Sequence, residues 1–277
     1  MTVIVGFVGD SCAVMASDSE GTESGHTRFD VEKIWTTGRS LLLGYSGNSA
    51  VRDALKRSIE AKLQADFGDV DEIDRLDART ALVSAVRPVL EQFYSEFIST
   101  IQTAEVALEG ALLVIGRDCT GHWLLEIDAN CLATFYEDRG LQAIGSGGSA
   151  AFVAHGLLRH YQPREQTIEE LRLIAYRTIT TCIDGLGGQL GVGGEVHLWS
   201  CQEGEGYSKA NTELLESLEE GLAKWKTIER ESLSEAVGTT PVEDAAVEEG
   251  VPEALDGDNA SQDSPAAEET PLAPASD

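Results

Sequence analysis

Basic residues are scarce in this chain. Its 20 Lys and Arg stand against 48 Asp and Glu, for a net charge of −28 over 277 residues. Eleven of the acidic residues and none of the basic ones lie from Gly238 onward, so the preceding part still has a net charge of about −17. Because nucleic-acid phosphates are bound by basic surfaces, this composition argues against a nucleic-acid partner.

Cysteines are few, and long apolar runs are absent. The five cysteines are scattered and contain no CxxC pair, which argues against a disulfide framework or a zinc site and fits a reducing cytosol. No apolar run reaches the roughly 18 residues that a membrane span needs. The first residues also lack the basic and apolar regions of a signal peptide. We therefore expect a cytoplasmic protein with no membrane partner, no metal and no organic cofactor.

Hydrophobic periodicity divides the chain into blocks of strands and pairs of helices. Gly9-Asp10 separates two short apolar runs, which predicts a hairpin. Asn48 and the Thr167-x-x-Glu170 capping box predict helix starts. Pro88 predicts a kink or a break inside a helix. The strands are predicted at 2–8, 11–16, 32–36, 40–46, 111–116, 122–127, 131–136 and 195–200, and the helices after 48, at 78–101, after 148, after 167 and at 209–235.

This order predicts an α+β fold in which antiparallel sheets are covered by helix pairs. A doubly wound parallel sheet would instead place one helix after each strand. We expect a main domain over residues 1–205, a helical extension over 206–237, and an acidic, Pro-rich disordered tail over 238–277.

Thr2 is the first candidate for chemistry. If Met1 is removed, Thr2 carries a hydroxyl beside a free α-amine, and an amine with a pKa near ~7.7–8.0 can act as a base at neutral pH. Asp18 ends the second predicted strand and Lys33 enters the third, so the two could pair. A lysine ammonium near the Thr2 amine would disfavour protonation of that amine. By itself, each residue is more simply explained by an ordinary structural or surface role.

Several glycine-flanked positions are weaker candidates. Gly44 could present an unobstructed N–H to an oxyanion, although a lone glycine more often marks a turn. Ser146, in a GSGG stretch without the lysine of a phosphate-binding loop, could reach a nearby site or cap a helix. Asp184 precedes a Gly-rich segment and could simply end a helix. His155 and His160 are five residues apart, a spacing that does not suit a helical metal pair.

The order of these segments resembles the proteasome β-subunit family, including HslV-type and other bacterial proteasome-like peptidases. The resemblance rests on Thr2, on Asp18 to Thr22, on Lys33-Ile34, on the GYSG of 44–47 and on the AIGSG of 143–147, and it spans roughly residues 2–200. It implies a four-layer αββα sandwich of the N-terminal-nucleophile hydrolases. It also implies a threonine endopeptidase that assembles into a homo-oligomeric ring and cleaves peptides or unfolded protein.

The resemblance also assigns roles to residues. Thr2 corresponds to the catalytic threonine, Asp18 and Lys33 to the pair that tunes it, and Ser146 to a serine near its amine. Gly44 corresponds to the oxyanion-hole glycine, and Thr22, with Ser19, to substrate-binding positions. Asp184 corresponds to a late aspartate in a D-x-x-S-G-G pattern, but Gly187 stands here where that pattern has serine.

Two other hypotheses stay open. The same residues could serve an N-terminal-nucleophile amidase acting on a small molecule. The departure at Gly187 is also compatible with a catalytically silent, structural ring subunit. Cleavage specificity, ring size, the role of the acidic tail and the existence of an ATPase unfoldase partner are not determined by the sequence.

Overall fold

The computed structural model describes residues 2–23, 27–68, 71–100, 110–158, 167–186, 192–202 and 205–238. The chain forms two compact units, residues 1–229 and residues 230–277. In the second unit, the described part is the end of the last helix.

The described residues contain twelve strands, five α-helices and a short 3-10 helix at Glu137–Arg139. The first block contains strands β1 to β6, and the first helix pair is α1 and α2. The second block contains β7 to β10 and is followed by the pair α3 and α4. The bounds are β1 Ile4–Val8, β2 Cys12–Asp18, β3 Glu20–Glu23, β4 Thr27–Asp30, β5 Ile34–Thr37, β6 Leu41–Ser46, α1 Ser49–Asp66, α2 Arg75–Thr100, β7 Ala111–Asp118, β8 Gly121–Asp128, β9 Ala133–Phe135, β10 Leu141–Ile144, α3 Gly148–Leu158, α4 Ile168–Leu186, β11 Val196–Gln202, β12 Ser208–Lys209 and α5 Thr212–Val237.

The strands form two five-stranded sheets and a separate ribbon. One sheet has the order β10-β1-β2-β11-β12, the other has the order β5-β6-β7-β8-β9, and β3 pairs with β4. The strand pairs are antiparallel. The predicted α+β class with paired helices between blocks of antiparallel strands is therefore confirmed.

The alternation of side chains along β1 explains the layering. Val5 and Phe7 belong to an apolar cluster shared with α3, α4 and α5, whereas Ile4 and Val8 belong to a cluster shared with the second sheet. Successive residues of a strand point to opposite faces, so a strand buried on both faces is apolar throughout. A third cluster joins the far face of the second sheet to α1 and α2. These three cores give four layers, in the order helices, sheet, sheet, helices.

Local signals fix the helix starts as the sequence predicts. Asn48 caps α1, and its Oδ1 accepts a hydrogen bond from the Ala50 N–H at 2.8 Å. Thr167 and Glu170 form the reciprocal capping box before α4, at 2.8 and 3.3 Å. Of the kink or break predicted at Pro88, the break is wrong, because α2 runs from Arg75 to Thr100 with Pro88 inside it; the kink stays a prediction.

Arg177 of α4 contacts the part of α5 that belongs to the first unit. Its guanidinium lies 4.1 Å from the centre of the Trp225 ring and makes two hydrogen bonds to the Glu229 carboxylate, at 2.9 and 2.6 Å. None of the helices in the described ranges is both long and apolar enough to cross a membrane.

Candidate active site

Thr2 lies two residues before Ile4, the first residue of β1, where the start of that strand meets the turn at 145–147. The residue is 7% exposed. Its main-chain N–H donates to Ser146 Oγ at 3.2 Å, and its carbonyl oxygen accepts from the Gly147 N–H at 3.1 Å. This turn follows β10, which pairs with β1. The sheet therefore brings together two predicted residues, Thr2 and Ser146, that are 144 positions apart.

Asp18 and Lys33 form a buried ion pair beneath this end of β1. Lys33 Nζ lies 2.7 Å from Asp18 Oδ1, and the two side chains are 4% and 0% exposed. The Val3 N–H donates to the same oxygen at 2.9 Å, and the Gly193 N–H donates to Oδ2 at 3.2 Å. A buried carboxylate needs such partners, because charge removed from water is costly unless it is paired and hydrogen-bonded.

The register of the strands explains why Asp18 lies next to Val3 and Lys33. Ile4 stands opposite Ser17, so Asp18 falls beside Val3, and the Asp18 N–H donates to the Val3 carbonyl at 3.3 Å. Lys33 directly precedes β5 of the other sheet, and its carbonyl accepts from the Tyr45 N–H at 3.1 Å. Burial lowers the pKa of Lys33, while the Asp18 carboxylate opposes that lowering.

A cavity of about 900 Å³ opens beside these groups. Thr2, Lys33, Ser146 and Gly47 line it together with Tyr45 and the acidic residue Glu20. Burial raises the pKa of Tyr45 to about 12, so its phenol is protonated at neutral pH. Glu20 is 7% exposed, and its N–H donates to the Gly193 carbonyl at 3.0 Å. Three residues of the sequence prediction, Thr2, Lys33 and Ser146, thus face one cavity.

The structure does not bring Gly44 to this cavity. Gly44 lies inside β6, between Ile34 of β5 and Leu113 of β7, and a Cβ there would lie 2.8 Å from Met15 Sδ in the core between the sheets. Its N–H belongs to the strand ladder. The prediction that the Gly44 N–H donates to an oxyanion is therefore corrected, because Gly44 lies inside the sheet and not at the cavity.

Gly47 is the glycine of the same GYSG stretch that does line the cavity. It follows Ser46, the last β6 residue paired with β7, so it lies just beyond the ladder. Its φ of +145° suits glycine alone, and a Cβ would lie 2.6 Å from Tyr45 Oη. The sequence signal for Gly47 was present, but a glycine at the end of a strand and one inside it look alike before the register is known.

Ser19 and Thr22 have different positions relative to the cavity. Ser19 is buried, and its Oγ accepts from the Glu195 N–H at 2.8 Å, which fastens the segment before β11. The Ser19 hydroxyl thus already accepts a hydrogen bond from the main chain. Ser19 does not line the 900 Å³ cavity but a neighbouring pocket, together with Glu20 and Gly194. Thr22 lies in β3 opposite Arg28 of β4. The substrate-binding role of Thr22 stays a prediction.

Asp184 is placed away from the Asp18–Lys33 pair. It lies near the end of α4 with its side chain 69% exposed, and its Oδ2 is 3.9 Å from Lys226 Nζ of α5. Gly187 lies outside the described residues. The expectation that Asp184 completes the site is corrected, because α4 continues past it and turns the carboxylate toward solvent.

A second glycine doublet occupies the far side of the Asp18 carboxylate. Gly193 and Gly194 directly precede β11, and the Gly193 N–H is one of the donors to Asp18. A Cβ on Gly193 would lie 2.5 Å from Glu20 Oε2, and one on Gly194 would lie 2.4 Å from Ser19 Oγ. Sequence reasoning missed Glu20 and Gly193; the available signal was that this doublet, unlike the one at 187–188, stands next to a strand.

Comparison with known families gives a match over most of the chain. A family model described as proteasome subunit matches residues 2–191, more than half of the chain. A search of curated proteins finds no matching sequence.

Proposed function

The chain belongs to the proteasome subunit family, and on that premise we propose that it is a threonine-type peptidase whose nucleophile is Thr2 after removal of Met1. The observation that carries the proposal is that Thr2, Lys33 and Ser146 line one large cavity. Within it, the main-chain nitrogen of Thr2 lies 3.2 Å from Ser146 Oγ. Removal of Met1 would make that nitrogen a free α-amine.

The reaction is an acyl transfer to water. The Thr2 hydroxyl attacks the peptide carbonyl carbon, and its proton passes to the Thr2 amine, directly or through a water molecule. The C–N bond then breaks, and the leaving amine takes that proton. Water attacks the resulting ester, with the Thr2 amine again taking the proton, and releases the carboxylic acid and the regenerated hydroxyl.

Lys33 and Ser146 have supporting roles in this proposal. The Lys33 ammonium disfavours a second positive charge nearby, so it favours the neutral, basic form of the Thr2 amine. Ser146 Oγ orients the amine nitrogen through the hydrogen bond seen at 3.2 Å. Asp18 holds Lys33 in position and satisfies its charge.

The oxyanion donor that we propose is the Gly47 N–H in place of that of Gly44. It lies at the cavity and beyond the last paired residue of β6, where an N–H is available to a ligand. An N–H inside the β6–β7 ladder is already engaged.

Members of this family form oligomeric rings, and we propose that this chain assembles with copies of itself into such a ring. The substrates would be peptides or unfolded protein, in the cytoplasm. An ATPase unfoldase partner stays a prediction from the resemblance.

Two other functions have some support. The exposed position of Asp184 leaves the far side of the site without the expected side-chain carboxylate, which favours a silent ring subunit. The cavity volume of about 900 Å³ also falls within the range of small-molecule sites, which favours an amidase.

Hydrolysis of fluorogenic peptides by wild type and Thr2→Ala separates these functions. We expect peptide cleavage that Thr2→Ala abolishes and that Thr80→Ala, at an exposed position of α2, leaves unchanged. Cleavage by Thr2→Ala at the wild-type rate would contradict the mechanism. Assembly without any cleavage would favour the silent subunit, and turnover of small amides alone would favour the amidase.

A further inference from the structure

A second cavity lies at the opposite end of the sheets from Thr2. Ala111, the first residue of β7, lines the cavity of about 900 Å³ beside Thr2, whereas Arg117, the last residue but one of the same strand, lines a separate cavity of about 530 Å³. Cys201 of β11 also lines this second cavity, while the other end of β11 pairs with Asp18. A strand rises about 3.3 Å per residue, so the distance from Ala111 to Arg117 is roughly 20 Å. This distal cavity can therefore hold a ligand that makes no contact with Thr2.

The hydroxyl of Tyr207 indicates that the distal cavity has a ligand. Tyr207 lines this cavity, and its hydroxyl oxygen is buried with no hydrogen-bond partner among the residues that the structure describes. A buried hydroxyl without a partner is costly, and buried polar atoms in proteins are almost always hydrogen-bonded. Burial raises the pKa of Tyr207 well above its usual value, so the hydroxyl keeps its proton and can donate a hydrogen bond. Phenylalanine would fill the same space without this cost, so the hydroxyl is explained by a partner that enters the cavity.

Charges of both signs line the distal cavity. Arg117 Nη2 lies 2.9 Å from Glu72 Oε1, and the two side chains are 24% and 44% exposed. Arg39 Nε lies 3.5 Å from Asp71 Oδ1, and both of these side chains are exposed. Glu205 adds a third carboxylate. Exposed ion pairs contribute little stability, so these groups are available to a ligand. The carboxylates would repel a simple anion and the guanidinium groups a simple cation, so the complementary ligand carries both charges.

We propose that the distal cavity binds a short peptide through its free ammonium and carboxylate ends. The Arg117 guanidinium binds the terminal carboxylate, because its parallel N–H donors match the two carboxylate oxygens. The Glu205 carboxylate binds the terminal ammonium, and the Tyr207 hydroxyl donates to a peptide carbonyl between the two ends. A volume of about 530 Å³ lies within the range of small-molecule sites. Binding here requires no chemistry at Thr2, so the site stands apart from the proposed peptidase reaction.

Calorimetric titration with trialanine tests the site. The protein carries Thr2→Ala, so that the proposed reaction does not consume the peptide. We expect saturable binding of trialanine and no binding of the same peptide with an acetylated N-terminus and an amidated C-terminus. Tyr207→Phe and Glu205→Gln should each weaken the binding about tenfold, the loss expected for one hydrogen bond or ion pair. Tyr94→Phe is the matched control, because Tyr94 is 51% exposed on α2, and it should leave the affinity unchanged.

Thermal unfolding without peptide separates a binding role of the Tyr207 hydroxyl from a structural one. Because this hydroxyl has no partner among the described residues, Tyr207→Phe should unfold at the same temperature as its parent or at a higher one. A clearly lower unfolding temperature would overturn the assignment of the hydroxyl to a ligand. Absence of trialanine binding, equal binding of the blocked peptide, or an unchanged affinity in Tyr207→Phe or Glu205→Gln would overturn the proposed site.

Discussion

Replacement of Asp18 by asparagine tests the buried pair most severely. Asp18→Asn keeps the size of the side chain but leaves Lys33 without its counter-charge, and one carboxylate oxygen becomes an NH₂ group that cannot accept a hydrogen bond. Both side chains are at most 4% exposed and lie 2.7 Å apart. Removal of one partner from a buried pair costs about 3–5 kcal/mol, which for a domain of this size lowers the unfolding temperature by ~6–20 °C.

The pH dependence of this loss has a definite sign. Burial already lowers the pKa of Lys33 below 10.5 in the wild type, and Asp18 opposes that lowering. Asp18→Asn removes the opposing charge, so the pKa of Lys33 falls further in the folded state. Between that lowered pKa and 10.5 the unfolded chain binds more protons, so stability rises with pH. The stability deficit of the variant is therefore largest at neutral pH and shrinks as the pH approaches 10.5.

The assay is denaturant unfolding of wild type and variant at a fixed protein concentration, from pH 7 to pH 10. Asp66→Asn is the matched control, since Asp66 pairs with Lys62 at 3.0 Å on the surface of α1 and should cost no more than about 1 kcal/mol. A deficit for Asp18→Asn that is as small as the control's, or that does not change with pH, would refute the reasoning.

Two further substitutions test the corrected site residues. Gly47→Ala forces a φ of +145° on alanine and places its Cβ 2.6 Å from Tyr45 Oη. We therefore expect the rate of peptide cleavage to fall about 100-fold or more. The control is Gly68→Ala, where φ is +69° and the space is open, and it should leave the cleavage rate unchanged. Asp184→Ala should change the unfolding free energy by no more than about 0.5 kcal/mol and leave peptide cleavage intact, because its carboxylate is 69% exposed. A large loss of cleavage in Asp184→Ala, or none in Gly47→Ala, would contradict these assignments.

The first part of the site was predictable because it depends on local order. Thr2 and Asp18 lie at the ends of two strands joined by a short hairpin, and their register follows once Gly9-Asp10 is identified as the turn. Lys33 adjoins the next apolar run, and a lysine entering a buried strand needs a carboxylate partner. These constraints act over about thirty residues, and the family resemblance added their relation to Ser146.

The rest depended on long-range register, which spacing alone does not determine. Gly44 and Gly47 are three residues apart in one stretch, and pairing with β7 decides which of them lies at the cavity. Glycine doublets stand at 187–188 and at 193–194, and both could follow a helix. Only the pairing of β11 with β2 identifies Gly193 as the neighbour of Asp18. Asp184 lies near the exposed end of α4, which the spacing of the glycines alone does not indicate.

The central claim is that Thr2 is an N-terminal nucleophile, and covalent labelling tests it most directly. The purified protein would be incubated with a peptide epoxyketone, which reacts with a hydroxyl and an amine of one residue, then digested and mapped by mass spectrometry. We predict that Met1 is absent and that the adduct lies on Thr2. Retention of Met1, or a peptide-cleaving enzyme whose adduct lies on any residue other than Thr2, would contradict the account.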